Sequence, residues 1–133
     1  MTRNIERTAR AFTISYAEHD ARDGKDGSYA DAGARAARLA AGELAGLLGQ
    51  KRPSQDTMWA ALRAEKAQQT AKIVSVVVPD GAQAVTGSSA LVRVGYTVTT
   101  TAKSGLARHS SEHLALRLEH TTKGWRVTAL PLA

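Results

Sequence analysis

Ala90-Leu91-Val92-Arg93-Val94-Gly95-Tyr96-Thr97-Val98-Thr99-Thr100-Thr101 alternates apolar and polar residues with a period of two. Val92, Val94, Tyr96 and Val98 fall on one face, and Arg93, Gly95, Thr97 and Thr99 on the other, the pattern of a half-buried strand. A second alternating run follows over residues 108–120, with Leu114, Leu116 and Leu118 inward and His113, Arg117 and Glu119 outward. Thr121-Thr122-Lys123-Gly124 turns the chain into a last strand over residues 125–130, where Trp125, Val127 and Ala129 share a face. Upstream, residues 70–78 read as a strand ending at the turn Pro79-Asp80-Gly81, and Val76-Val77-Val78 lacks alternation, as if covered on both sides. Short turns between long strands make them antiparallel neighbours. Strands of about ten residues or more need twist and curvature, and Gly95 is the natural kink point.

The first half of the chain reads as helices. Ile5, Ala9, Phe12 and Tyr16 are spaced four, three and four apart, which places them on one face of a helix over residues 3–20. Thr2 or Asn4 is positioned to cap it, and Glu6 suits its first turn. Asp23-Gly24 and Asp26-Gly27 then break the chain over residues 21–27. A second helix is expected over residues 28–48, with Tyr29, Ala32, Ala36, Leu39 and Leu48 on its stripe and a bend near Gly42. A short third helix starts at Ser54 as cap, carries Met58, Trp59 and Leu62 on its apolar face, and ends near Lys66 or Gln68. Helices first and a strand meander after define an α+β fold, with three N-terminal helices packed on a curved four-stranded antiparallel sheet. The 133 residues suffice for one domain with its own core.

Composition excludes more than it assigns. Cysteine is absent, which removes a disulfide framework and a thiolate metal site. The net charge is +6, and the excess lies in the sheet: Lys72, Arg93, Lys103, Arg108, Arg117, Lys123 and Arg126 against Asp80, Glu112 and Glu119. These bases are spread over four strands without interleaved aromatic residues, so a nucleic-acid platform is disfavoured. The start has charge but no apolar core of a signal peptide, and no stretch approaches the ~20 apolar residues of a membrane span.

The chemistry-bearing residues do not form a known motif. Asp20, Asp23, Asp26 and Asp31 have spacings of three, three and five, which do not match a calcium loop. His109 and His113 share a strand face but lie about 13 Å apart, and His120 falls on the opposite face from His113. No nucleophile elbow and no phosphate loop is present, so neither a metal nor a cofactor is called for. One constellation stands out: Tyr16, His19 and Asp20, three and four residues apart at the end of the first helix. A phenol donor beside an acid or imidazole base suits proton transfer next to a carbonyl. If the sheet curls around that helix end, Tyr96 and Trp59 complete a cavity there, with Leu116 facing inward beside them. The remaining inward strand positions read as Val, Leu, Ala and aromatic.

Three helices followed by a long four-stranded meander resemble the nuclear transport factor 2-like superfamily, the cone-shaped cystatin-like α+β fold. The residues that carry the likeness are Ala9-Arg10-Ala11-Phe12 through Tyr16 and Asp20, and Gly124-Trp125-Arg126-Val127. Within it the chain is most similar to extracytoplasmic domains of membrane-anchored bacterial proteins: the inner-membrane scaffold proteins of conjugative type IV secretion systems and the Mce-associated proteins. The resemblance implies a non-catalytic assembly domain with protein partners, self-associating as a dimer or trimer. It implies an extracytoplasmic location if the chain is a fragment of an anchored protein, and a cytoplasmic one otherwise. The enzymes of the superfamily, among them isomerases and cyclases, supply the alternative: a small-molecule enzyme or hydrophobic-ligand binder using Tyr16, His19 and Asp20.

Overall fold

The computed structural model describes residues 2–79 and 85–131. The turn expected at Pro79-Asp80-Gly81 falls partly outside the described residues. Helix α1 spans Arg3–Ala17, and its Thr2 hydroxyl accepts the Ile5 N–H at 3.3 Å. Ile5, Ala9 and Phe12 are fully buried on the face set by their spacing. The helix stops three residues short of the expected Asp20. Glu18 turns extended, its carboxylate accepts the Ala71 N–H at 2.9 Å, and His19–Asp20 becomes a short strand, β1. Strand pairing with distant Gln68 and Gln69 overrides helix continuation here.

The expected second helix is two helices, α2 at Ala30–Ala36 and α3 at Glu43–Leu48, with a 3-10 turn at Ala37–Leu39 between them. The break comes where Ala41 donates its N–H to the Val127 carbonyl at 2.9 Å, and Gly42 supplies the positive φ of 67° that re-enters the helix. Ser54 does not cap the next helix. It lies inside a 3-10 turn, Pro53–Gln55, and helix α4 follows at Asp56–Glu65. The segment between β1 and α2 is tied down by ions. Arg35 bonds Asp26 at 2.7 Å and the Glu18 carbonyl at 2.8 Å, and Arg63 bonds the Ala21 carbonyl.

Four longer strands follow: β2 (Gln68–Val77), β3 (Ser89–Thr101), β4 (Ala107–Thr121) and β5 (Gly124–Ala129). Among the described residues the sheet has five antiparallel strands in the order β1-β2-β3-β4-β5, one more than expected, the extra one being β1. A bulge between Ile73 and Ser75 lies opposite Gly95, where an added Cβ would come within 2.8 Å of the Ser75 hydroxyl oxygen. An alanine there would force the Ser75 hydroxyl to move, so the close approach favours glycine, and the bulge helps the sheet curl. The valine run of β2 is not covered on both sides: Val77 is 47% exposed, and Val74 at the bulge is 68% exposed.

The core fills the closed end of the curl. Register places Val92 opposite Leu116 and Ala90 opposite Leu118, and these side chains pack with Ile5, Phe12 and Val127. Strand β5 pairs with β4 only from Arg117 to Thr121. Residues 107–113 of β4 are therefore exposed, with β3 on one side. Arg108 and Glu112, charged side chains on that edge, blunt it as a template for another strand.

Candidate ligand cavity at the mouth of the cone

A cavity of about 370 Å³ opens between the C-terminal end of α1, the start of α2 and strands β2 to β4. The chain has three tyrosines, and all of them line it. Tyr16 comes from the last turn of α1 and stacks on Phe12 with ring centroids 5.8 Å apart. Tyr29 sits just before α2 and stacks on His19 at 3.8 Å. Tyr96 stands on the inward face of β3, next in the alternation after Val92 and Val94. Among the described residues no protein group hydrogen-bonds to any of the three phenol oxygens. Burial, with the nearby Glu112 charge and the other two phenols adding to it, pushes the Tyr96 phenol up to about 12. Burial likewise raises Tyr29.

His19 reaches the cavity because the helix ends early. Its backbone pairs with Gln69, and its Nδ1 lies 2.9 Å from Gln69 Oε1. Gln69 Nε2 donates to Thr100 Oγ1 at 3.0 Å, which turns the amide oxygen toward the imidazole. Nδ1–H is then the donor to that oxygen, and the ring is held further by the Ala17 carbonyl. Desolvation dominates the environment and lowers the His19 pKa, so the ring is neutral at pH 7.

Glu112 lies opposite Tyr96 in the β3–β4 register and lines the cavity. Its carboxylate accepts the Ser110 hydroxyl at 2.6 Å. Among the described residues no lysine, arginine or aspartate lines the space, and Glu112 is the one acidic side chain facing it.

The residues read from sequence divide here. Tyr16, His19 and Tyr96 line the cavity. Asp20 does not: its carboxylate is held by Arg22 at 2.6 and 2.8 Å, a pairing that lowers its pKa. Alternation across the short strand β1 sends its side chain away from that of His19. Trp59 does not line the cavity either; it covers a satellite cluster of Ala21, Leu62 and Ala67. Leu116 is fully buried in the main core. The expectation of an almost wholly apolar interior holds for the closed end only, since Gln69, Thr100, Ser110 and Glu112 line the mouth. The missed signal was available: the even-numbered inward positions Leu118, Leu116 and Leu114 continue to Glu112 and Ser110. Tyr29 was legible only as a residue of a helical stripe, and Gln69 had no such signal, because the fold brings both to the cavity from distant segments.

Among the described residues, no three His, Asp or Glu side chains are placed to hold a metal ion. No helix of the described residues is long and apolar enough to cross a membrane. The cavity wall offers three phenols, the Thr100 and Ser110 hydroxyls, the Gln55 and Gln69 amides, one imidazole and one carboxylate.

No protein-family model matches the chain, and no curated protein matches it in sequence. Solved structures do. The VirB8 protein of Agrobacterium tumefaciens superposes with a TM-score of 0.69 at 14% identity, over 98% of this chain and 92% of that one. A Novosphingobium aromaticivorans protein named for an aromatic ring hydroxylase activity superposes with a TM-score of 0.56 at 13% identity, over 98% and 88%. The chain has the cone-shaped nuclear transport factor 2-like α+β fold and is similar in structure to VirB8. At these identities the likeness is one of fold.

Proposed function

We propose that this chain is a non-catalytic assembly domain of a bacterial conjugation or type IV secretion apparatus. On this reading it acts outside the cytoplasm, anchored to the membrane, and associates with itself and with partner subunits. The observation that carries it is the superposition on VirB8, a type IV secretion protein, over nearly the whole length of both chains. The absence of Asp20 from the cavity supports it further, since that carboxylate is bound to Arg22 while Tyr16 and His19 line the space. The test is the size and location of the native protein in fractionated cells, together with the solution mass of this domain up to millimolar concentration. A membrane-bound native protein and a mass above that of the 14.1 kDa monomer are expected. A soluble native protein, monomeric throughout, would overturn the proposal.

A second reading has its own observation. The cavity with three tyrosines, His19 and Glu112 is open rather than filled, and it is large enough for a small molecule. Ligand binding there is compatible with an assembly role. Its test is a binding screen read out on the Tyr16 and Tyr96 resonances, where silence toward every class of small molecule would remove it.

A further inference from the structure

From the composition of the cavity wall we infer that it takes a small organic cation, an ammonium group carried on an aromatic or aliphatic body. The inference rests on the second reading above, that the cavity binds a ligand at all.

Charge is the first argument. The chain has 18 lysines and arginines and a net charge of +6, yet none of the 18 lines this cavity. Among the described residues, Glu112 is the one acidic side chain in the wall. An anionic ligand would meet that charge with no cation to offset it. An ammonium would pair with it in a charge-assisted hydrogen bond.

The second argument is the phenols. Tyr16, Tyr29 and Tyr96 converge on one space from three separate elements, with no protein partner for their oxygens among the described residues. Neutral phenol oxygens accept ammonium N–H groups, and electron-rich ring faces attract a cation. A purely apolar ligand would take these groups from water and leave them unpaired, which is costly.

Size is the third. About 370 Å³ lies at the low end of the range for ligand pockets, so the body of the ligand is small.

The experiment compares three probes of one shape: 2-phenylethylammonium, 3-phenylpropanoate and 2-phenylethanol. Each is titrated into the 133-residue protein by calorimetry and by chemical-shift mapping. The ammonium is expected to bind and to shift Tyr16, Tyr29 and Tyr96, with the carboxylate binding least. Glu112→Gln, with an unchanged melting temperature, should weaken the ammonium on the order of tenfold. Tyr96→Phe should weaken it while leaving the fold intact, a second variant independent of the carboxylate. Equal binding of the carboxylate or the alcohol would overturn the charge class while leaving a ligand cavity. Undiminished ammonium binding by Glu112→Gln would overturn it too. Failure of all three probes would remove both this inference and the ligand reading beneath it.

Discussion

A methyl group placed on Gly33 would lie 1.8 Å from the carbonyl oxygen of Leu48. Gly33 is inside α2, and Leu48 ends α3, so this contact sets how closely the two halves of the broken helix pack. The obstacle is backbone, which cannot swing aside as a side chain would. The same contact borders the cavity, since both residues line it.

Gly33→Ala should therefore be destabilising by at least about 2–3 kcal/mol, the upper part of the range for overpacking. Gly46→Ala, within α3 and open to space, should instead stabilise by roughly 0.5–1 kcal/mol. Urea denaturation of the two variants measures both. A neutral Gly33→Ala would mean that the two helices are further apart than described.

Phe12→Ala should cost about 3–5 kcal/mol, because the ring is fully buried between α1 and the sheet and its removal leaves a cavity. The same loss removes the ring on which Tyr16 stacks, so the Tyr16 resonances should broaden. A denaturation midpoint close to that of the wild type would contradict the placement of Phe12 at the centre of the core.

His19 makes stability depend on pH in a defined direction. Burial lowers its folded pKa below the unfolded value, so the unfolded chain binds the proton more readily. The stability tied to neutral His19 is complete above the unfolded value of about 6.5 and is lost as pH falls from there toward the lowered folded value. Melting temperatures should fall as the pH drops below about 6.5, and less so in His19→Gln. An equal fall in the variant would assign the effect elsewhere.

Tyr96 offers a spectroscopic check. Its phenol should ionise at about 12, well above a free tyrosine, because burial disfavours the phenolate and Glu112 repels it. Phenolate absorbance after a rapid pH jump, read before alkaline unfolding, should show a step at about 12. That step should be missing in Tyr96→Phe, where the burial-raised Tyr29 still ionises above a free tyrosine. A step at about 12 of unchanged size in the variant would place the most strongly raised phenol at another position.

Much of this architecture was legible because alternation and helical spacing are local. Val92, Val94 and Tyr96 point inward as their period of two requires, and Ile5, Ala9 and Phe12 share one helix face as their spacing requires. The bend near Gly42 also follows from local residues, since a positive φ there favours glycine. Glu112 was legible in principle, as the next inward step after Leu114.

The residues themselves thus determined an α+β chain with a strand meander, a curl centred on Gly95 and a buried face for each strand. Other features belong to the tertiary structure alone. Helix α1 ends at Ala17 because Gln68 and Gln69, some fifty residues on, offer His19 and Asp20 a strand partner. That pairing turns His19 into the cavity, leaves Asp20 to Arg22, and adds the fifth strand. The gathering of Tyr16, Tyr29 and Tyr96 around one space likewise depends on α1, α2 and β3 meeting. Local spacing fixes which face a side chain takes on its own element; which distant face it meets is set by the packing of the whole chain.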